Sequence, residues 1–378
     1  MFERTARRVL VAGAVAAAVV LGVSAGASAE VRYTITDLGG AARAYGMNDA
    51  EQVVGMWGGA PALWEDGEVI DLVPGHSGWA YDVNNSGQVV GEYYDGIPQA
   101  FLWEDGEVTT LGALGGSGAK ARAINDACQI VGWASTGSDL HAFLYTDGVM
   151  SDLGTLGGPK SWALGINAAG DVVGRANTDE EPPPGGSPIN RAFLYRDGTM
   201  TAIASDGSIA LDINDLGQVV GRDAGNGFLW DDGEITYLED FAEAWAINNL
   251  GQVVGYGGIY GYPEATLWEE GETHDLIDLI PPDSGWDELS EARDINDSGQ
   301  IVGWGHRVGV GWCAFLLTPI PEPGAVLLLG VGGLALFGRR RCRVLKKADP
   351  SLACKEAVWF RGQAPLPYGR GSVPGTAS

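Results

Sequence analysis

Cysteine, histidine and basic residues are scarce in this chain of 378 residues, and each shortage excludes a class of protein. Four cysteines and four histidines are too few and too scattered for a disulfide scaffold or a dedicated metal cluster. Only 23 lysines and arginines stand against 49 acids, and a net charge of −26 argues against holding a nucleic-acid backbone. Glycine is frequent, at 59 residues, but without the Gly-X-Y period of collagen. Thirteen tryptophans and many aliphatic residues predict a large core rather than disorder.

Residues 1–29 are typical of a secretory signal peptide. A basic segment precedes the apolar run 9–23, and the segment ends in Ala-Ser-Ala. We expect export through the Sec translocon and cleavage after Ala29, with Ala27 as the other small residue of the cleavage site. A membrane anchor is the alternative, but the run is shorter than the roughly 20 apolar residues that span a bilayer.

Near the other end, a Pro-Glu-Pro triplet, the apolar segment 324–338 and an arginine cluster follow one another. The triplet and the cluster are Pro321, Glu322, Pro323, Arg339, Arg340 and Arg341. This arrangement resembles the PEP-CTERM sorting signal of Gram-negative bacteria, which an exosortase recognises. The resemblance implies a hydrophobic helix that is anchored transiently in the inner membrane, with the arginines on the cytoplasmic side. A simple C-terminal anchor is the alternative interpretation.

The sorting signal is assigned to residues 319–343, and a further segment follows it. Residues 344–378 are rich in proline, glycine and basic residues and show no periodicity. We predict that they form a disordered tail. Signals of the family that this one resembles normally end the chain just after the arginines, so the tail is a departure from that pattern.

Between residues 30 and 318 one pattern recurs seven times: an asparagine, and a glycine seven positions later. The asparagines are Asn48, Asn84, Asn125, Asn167, Asn214, Asn248 and Asn296. The glycines are Gly55, Gly91, Gly132, Gly174, Gly221, Gly255 and Gly303. A short apolar strand follows each glycine, and in six units an acid-Gly turn and another strand come next. Each unit therefore predicts four short strands joined by hairpin turns.

The spacing of the asparagines, between 34 and 48 residues, is near the length of a propeller blade. Seven four-stranded units predict an all-β fold, a seven-bladed β-propeller over residues 30–318. The seventh unit lacks its fourth strand, and the segment 33–38 has the form of that strand. We expect this N-terminal strand to complete the last blade, because a closed ring leaves no large unpaired edge.

The repeats resemble the HAF-repeat family of bacterial extracellular proteins, whose His-Ala-Phe stands here at His141, Ala142 and Phe143. The resemblance covers roughly Tyr33 to Leu317 and depends on the recurring Gly-Gln-Val-Val-Gly and Ala-Phe-Leu-Trp/Tyr segments. Only the third unit keeps the histidine. The resemblance implies export and propeller architecture far more than any activity.

No catalytic, metal or cofactor motif stands out in the repeats. The Asn-Asp-Ser-Gly turns could offer oxygen ligands to calcium. Alanine replaces these ligands in some copies, and an Asx turn explains the pattern locally, so the turn interpretation is favoured. We find no nucleophile elbow, phosphate loop or paired-acid motif, and we predict no cofactor and no catalytic residue.

The short, uniform turns are expected on one rim of the disc and the loops of variable length on the other. Variable loops on a rigid scaffold commonly bind ligands. The candidate ligand residues of the variable rim are aromatic: Tyr93, Tyr94, Tyr260, Tyr262 and Trp286. Trp133 and Trp304, which directly follow the repeated glycine, are expected mainly to pack between blades.

Residues 30–318 hold 11 bases and 45 acids, so the propeller carries a net charge of −34 between two basic ends. We predict a monomeric module, exported to the cell surface or the extracellular matrix, that binds or supports without catalysis. Its expected partners are the exosortase and extracellular polysaccharide or surface proteins, and nucleic acid is excluded. The alternative is a secreted propeller enzyme, a polysaccharide lyase or glycosidase, with carboxylates from the variable rim.

Overall fold

The computed structural model describes residues 31–182, 185–258 and 263–321, all of which belong to one compact unit. The predicted signal peptide with Ala27 and Ala29, the predicted hydrophobic helix and the tail 344–378 lie outside these residues. Of the sorting signal, Pro321 is described, whereas Glu322, Pro323 and the arginine cluster are outside. Within the described ranges, no helix has the length and apolar character needed to cross a membrane.

Twenty-eight strands and one short 3₁₀ helix, Leu276–Leu279, make up the described part of the chain. The strands of the first half are β1 (Tyr33–Gly40), β2 (Ala42–Met47), β3 (Val53–Trp57), β4 (Ala60–Glu65), β5 (Glu68–Asp71), β6 (Gly78–Val83), β7 (Val89–Asp95), β8 (Ile97–Glu104), β9 (Glu107–Thr110), β10 (Ala119–Ile124), β11 (Ile130–Ser135), β12 (Leu140–Thr146), β13 (Val149–Asp152) and β14 (Gly157–Ile166). Those of the second half are β15 (Val172–Thr178), β16 (Asn190–Arg196), β17 (Thr199–Ala202), β18 (Ile209–Ile213), β19 (Val219–Asp223), β20 (Asn226–Asp231), β21 (Glu234–Tyr237), β22 (Phe241–Ile247), β23 (Val253–Gly257), β24 (Glu264–Glu269), β25 (Glu272–Asp275), β26 (Trp286–Ile295), β27 (Ile301–Arg307) and β28 (Gly311–Pro319).

The strands form seven antiparallel sheets of four strands each, so the prediction of an all-β, seven-bladed propeller is confirmed. Blades 1 to 6 take four consecutive strands each, from β2–β5 through β22–β25. Blade 7 has the order β1-β28-β27-β26, with Tyr33 opposite Pro319. The N-terminal strand therefore completes the last blade, as the missing fourth strand of the seventh unit predicts.

The acid-Gly turns join the third and fourth strands of blades 1 to 6. Asp66 and Gly67 have φ values of 51° and 86°, and the other five turns repeat this pair of positive values. Two positive φ values are typical of the type I′ turn, whose twist matches that of the flanking strands. Glycine at the second position adopts this conformation without a steric penalty.

The repeated glycine lies where the first two strands of a blade approach most closely. A Cβ on Gly174 would lie 1.9 Å from the main-chain oxygen of Trp162 on the neighbouring strand. The equivalent distance is 2.0 or 2.1 Å in the other six blades. No side chain fits there, which explains why a glycine recurs seven residues after each asparagine.

A β-bulge interrupts the pairing of the same two strands in every blade. In blade 2, Ala80 lies opposite Gly91 and Asp82 opposite Val90, which leaves Tyr81 without a partner. The residues in this position are Tyr45, Tyr81, Arg122, Leu164, Leu211, Trp245 and Arg293. A bulge redirects the extra side chain, and all seven line one cavity.

The core lies between adjacent blades and is built mainly from the first three strands of each blade. Five blades place a fully buried phenylalanine on the third strand, opposite the repeated glycine: Phe101, Phe143, Phe193, Phe228 and Phe315. Burial of such a side chain contributes about 1.5 to 3 kcal/mol. The apolar Ala-Phe-Leu segments of the sequence are thus the contacts that hold blade to blade.

Candidate functional site

The seven repeated asparagines form a closed ring of hydrogen bonds around the axis. The side-chain amide of each asparagine donates to the main-chain carbonyl oxygen of the asparagine in the next blade, at 3.0 to 3.4 Å. The last bond, from Nδ2 of Asn296 to the oxygen of Asn48, is 3.4 Å long and closes the circle. All seven asparagines are buried. We call this set the asparagine ring.

Each asparagine also organises its own turn. Oδ1 of Asn84 accepts hydrogen bonds from the backbone nitrogens of Ser86 and Gln88, at 3.1 and 3.0 Å. Its Nδ2 also donates to Oε1 of Gln88, at 2.8 Å. These are the contacts of an Asx turn, which the local interpretation of the repeat predicts. The amide oxygen of this asparagine is therefore already engaged by the backbone.

A second, exposed ring surrounds the mouth of the channel on this uniform rim. It consists of the residues that follow the asparagines: Asp49, Asn85, Asp126, Ala168, Asp215, Asn249 and Asp297. Nδ2 of Asn85 donates to Oδ2 of Asp49 and of Asp126, at 3.1 and 3.2 Å, and Asn249 bridges Asp215 and Asp297 in the same way. The cavity at this mouth measures about 230 Å³.

Three carboxylates lie deeper in the channel, beyond the asparagine ring. They are Asp82, Asp212 and Asp294, each two residues before a repeated asparagine. One oxygen of Asp82 accepts from the backbone nitrogen of Val83 and the other from Ile124 of the next blade, both at 2.8 Å. The other two repeat this arrangement and bind Ile247 and Met47 of their next blades. The three side chains thus clamp neighbouring blades together.

Burial perturbs these carboxylates. It raises the pKa of Asp82 to about 6, although two backbone hydrogen bonds partly oppose the shift. Burial also raises the pKa of Asp212. The pKa of Asp294 is raised well above its usual range, first by burial and then by the charges of Asp82 and Asp212.

Beyond these carboxylates the channel opens towards the variable rim through a region rich in basic and aromatic residues. Three positions of each blade build it: the bulge residue, the residue two before it, and the residue after the repeated glycine. Six of the 11 lysines and arginines between residues 30 and 318 occupy these positions: Arg43, Lys120, Arg122, Arg175, Arg222 and Arg293. We call this region the cationic funnel.

Aromatic rings hold the guanidinium groups of the funnel. Cζ of Arg293 lies 3.7 Å from the ring centroid of Trp245 and 4.7 Å from that of Trp304. Cζ of Arg122 lies 4.0 Å from the centroid of Tyr81. A guanidinium group that stacks by its face keeps the N–H groups at its edge for an anion.

The funnel contains buried donors that no protein group satisfies. Among the described residues, Nε of Arg122 and Nε1 of Trp245 have no hydrogen-bond partner. Nε of Arg293 lies 3.1 Å from Oε2 of Glu291, but the two are not aligned as a hydrogen bond. Burial lowers the pKa of Arg293, which indicates incomplete compensation of its charge. Unsatisfied buried donors are costly, and they commonly mark a functional site.

Acids balance only part of this charge. Glu92 is fully buried, and its Oε1 accepts from the hydroxyl of Tyr81 and from Nζ of Lys120, both at 2.8 Å. Glu243 accepts from Tyr256 at 3.3 Å and lies 3.8 Å from Arg222. Three glutamates, Glu92, Glu243 and Glu291, thus accompany six bases at the funnel positions. The three channel aspartates lie beside them, and burial raises the pKa of each, which reduces their negative charge.

Three of the five predicted rim aromatics are described, and none of the three occupies a funnel position. The hydroxyl of Tyr93 shares a hydrogen bond with Oγ1 of Thr110, at 2.9 Å, and Tyr94 packs edge-on against Trp79. Trp286 is 8% exposed and packs edge-on against Phe315 in the core of blade 7. Tyr260 and Tyr262 lie outside the described residues. A ligand contact by any of these rings stays a prediction.

The sequence pattern does not predict the cationic funnel, although it contains a signal for it. The position three before each repeated asparagine holds Tyr, Arg, Leu or Trp, whereas the framework around it hardly changes. The sequence does not show that this side chain lines the channel, because the alternation of a regular strand does not reveal a bulge. The sequence predicts that Trp133 and Trp304 mainly pack between blades, and the structure places their ring centroids within 5.9 Å of the cationic groups of Lys120 and Arg293.

A search of curated protein sequences found no relative of the chain. Among solved structures, it is similar to a structural-genomics X-ray structure provisionally assigned as a gluconolactonase, at 10% sequence identity and a TM-score of 0.37. That alignment covers 77% of this chain and 94% of the other. Residues 319–341 match the PEP-CTERM protein-sorting motif, which confirms the predicted sorting signal and marks the chain for export and exosortase sorting.

Proposed function

We propose that this exported propeller is a non-catalytic binding module of the cell surface or extracellular matrix, and that its ligand binds in the cationic funnel. The main support for this proposal is the position in the channel at which the side chains differ from blade to blade. The asparagine ring repeats in every blade, whereas the bulge positions, three residues earlier in the chain, hold different side chains. A ligand without sevenfold symmetry needs such an asymmetric site.

The distribution of basic residues also supports the cationic funnel as the binding site. The propeller carries 45 acids, yet more than half of its 11 bases surround the funnel. Holding these cations in a half-buried site with unsatisfied donors costs stability. A bound anion would offset that cost, because its oxygens accept the free N–H groups.

A polysaccharide lyase or glycosidase is the competing function. The raised pKa of Asp82 favours it, since catalytic acids in clefts often have such shifts. Against it, both oxygens of each of the three channel aspartates already accept backbone hydrogen bonds. These contacts support a structural role for the carboxylates, and binding is therefore the function that we favour.

Glycan-array binding combined with an activity screen tests this proposal on the full chain. We expect retention of an acidic glycan, no change in its mass, and loss of retention in Arg122→Gln. The matched control is Arg191→Gln, which removes an arginine paired with the exposed Asp206 on the variable rim. Cleavage of the glycan by the wild-type chain, abolished in a funnel variant, would refute the non-catalytic role.

The segments near the two ends of the chain support a proposal for its export route. We propose that residues 1–29 direct the chain to the Sec translocon, with cleavage after Ala29. The exosortase would then act at Pro321, Glu322 and Pro323 while the apolar segment is transiently anchored in the inner membrane. The repeated segments support membership of the HAF-repeat family, and the closed ring supports a monomer.

Fractionation of cells tests the route. Replacement of Pro321, Glu322 and Pro323 by alanine should retain the protein in the membrane fraction with its C-terminal segment intact. Unchanged release and unchanged mass of the variant would contradict exosortase processing at this site.

A further inference from the structure

The chain leaves the propeller at the uniform rim, the face formed by the asparagine turns and the acid-Gly turns. On β28, the last strand, Leu317 lies opposite Ile301, the first strand residue after the turn of Asn296. A Cβ on Gly299, in the same turn, would lie 3.5 Å from Cγ of Pro319. Blade 7 therefore ends at the rim where the other blades carry their acid-Gly turns.

Hydrogen bonds hold this end of the chain to the propeller. Tyr33 of β1 lies opposite Pro319, and the backbone nitrogen of Ile320 donates to the oxygen of Arg32 at 2.8 Å. The backbone nitrogen of Arg32 donates in turn to the oxygen of Leu279, at 2.9 Å. The hydrogen-bonded structure thus extends as far as the residue before the Pro-Glu-Pro triplet.

Only the triplet, residues 321–323, separates this structure from the apolar segment 324–338 in the sequence. We call the triplet the tether. Three extended residues span about 10 Å, whereas the polar layer on each side of a bilayer is about 5 to 8 Å thick. A strand of six residues is about 20 Å long. A tether anchored in the membrane is therefore long enough for the uniform rim to lie at the headgroups and too short for the variable rim to reach them.

The exposed side chains of the uniform rim do not favour adhesion to anionic lipid. Its turns carry ten exposed acids: Asp49, Asp126, Asp215 and Asp297 at the channel mouth, and Asp66, Asp105, Asp147, Asp197, Asp232 and Glu270 in the acid-Gly turns. Arg32 and Arg196 lie beside these turns and pair with Glu269 and Asp171. Anionic headgroups repel such a surface. The tether, and not adhesion, would then hold this rim at the membrane.

We infer that the uniform rim faces the lipid surface of the inner membrane while the chain is anchored, and that the cationic funnel opens on the opposite side. This orientation rests on the proposed anchoring of the apolar segment, and it specifies how the binding module is presented. The funnel is open to its ligand before the exosortase cuts the tether. After the cut, the acidic rim does not hold the propeller at the membrane.

Short-range quenching of a fluorophore by labelled lipid tests the orientation. The full chain is produced in a bacterium without an exosortase, so that the tether stays intact. It is placed in vesicles of phosphatidylcholine and phosphatidylglycerol that carry a nitroxide on part of their headgroups. The fluorophore is attached to Leu250→Cys on the uniform rim or to Val308→Cys on the variable rim, where the native side chains are 70% and 62% exposed. The other native cysteines are replaced by serine, except Cys313, which is fully buried.

We expect at least twofold stronger quenching of the label at position 250 than of the label at position 308, because the nitroxide acts only on groups close to the headgroups. Equal quenching, or stronger quenching at position 308, would overturn the inference.

The matched control lengthens the tether. An insertion of about twenty glycine and serine residues between Ile320 and Pro321 gives a flexible linker with an end-to-end distance of about 25 Å. The difference between the two labels should then disappear. If the difference persists, the rim adheres to the lipid by itself, and the inferred role of the tether is wrong.

The outcomes separate this orientation from the proposed function. A chain that stays in the vesicles and shows equal quenching refutes the orientation alone. A chain that does not stay with the vesicles refutes the anchoring and the orientation together. In both cases the glycan array still decides whether the funnel binds a ligand.

Discussion

The two ends of the axial channel differ although the same seven strands build both. On the uniform rim, every blade supplies the same asparagine, and each side chain bonds to the next blade. In the cationic funnel, three residues earlier in the chain, the side chains range from Leu164 to Arg293. A closed ring requires identical contacts in each blade, whereas a ligand requires different ones. Repetition thus marks the structural end of the channel, and its absence marks the candidate binding end.

The largest effect is expected where the repeat is strictest, at the glycine beside the first strand. Gly174→Ala should lower the free energy of unfolding by about 3 kcal/mol, because the new methyl group would overlap the oxygen of Trp162. Gly40→Ala is the control, since nothing lies within 4 Å of a Cβ at that position. Denaturant unfolding measures both, and equal effects would show that the close approach is not required.

The asparagine ring should be the next most sensitive element. Asn125→Ala removes bonds from Nδ2 to Gln129 and to the oxygen of Asn167, at 2.8 and 3.0 Å. We expect a loss of about 2 kcal/mol, because buried backbone groups lose their partners. Arg122→Gln, three residues earlier in the chain, should cost less than about 1 kcal/mol. If the arginine variant unfolds more easily than the asparagine variant, the division between structural ring and binding funnel is wrong.

The three channel aspartates lie between the asparagine ring and the cationic funnel, and their raised pKa values predict that stability depends on pH. The pKa of folded Asp82, about 6, exceeds the unfolded value, so its protonation favours the folded state. As the pH falls from 7 to 4.5, the wild type should gain about 2 kcal/mol of stability relative to Asp82→Asn. Urea titrations of both proteins at each pH measure this difference, and a constant difference would contradict the shift.

The smallest effect is expected at exposed positions of the uniform rim. Leu250 is 70% exposed and lies two residues after a repeated asparagine, where five other blades carry alanine or serine and blade 5 carries Leu216. Leu250→Ser should change the unfolding free energy by less than about 0.5 kcal/mol. A larger loss of unfolding free energy, measured by the same denaturation assay, would show that exposed positions of the turn also stabilise the fold.

Much of the fold could be predicted because its determinants are local and repeated. The acid-Gly pairs predict the hairpins, and their positive φ values confirm the turn type. The missing strand of the seventh unit predicts the pairing of β1 with β28. The prediction of the rim aromatics, by contrast, depends only on residue type in variable loops, and the structure buries Trp286 in the core.

The cationic funnel could not be predicted by the same reasoning. Strand alternation assigns faces by counting residues, and a one-residue bulge shifts that count. Arg122 and Arg293 are far apart in sequence, and only closure of the ring brings them to one cavity. The hydrogen bonds of the asparagine ring likewise join residues up to 248 positions apart.

The sequence alone determined the number of blades, the turns, the closing strand and the sorting signal, because each depends on short segments or on their repetition. The tertiary structure decided which of the repeated residues meet at the axis and which side chains the bulges place in the channel. Seven similar units can form a ring in many sequences, but the chemistry at the centre depends on how all seven are brought together in space.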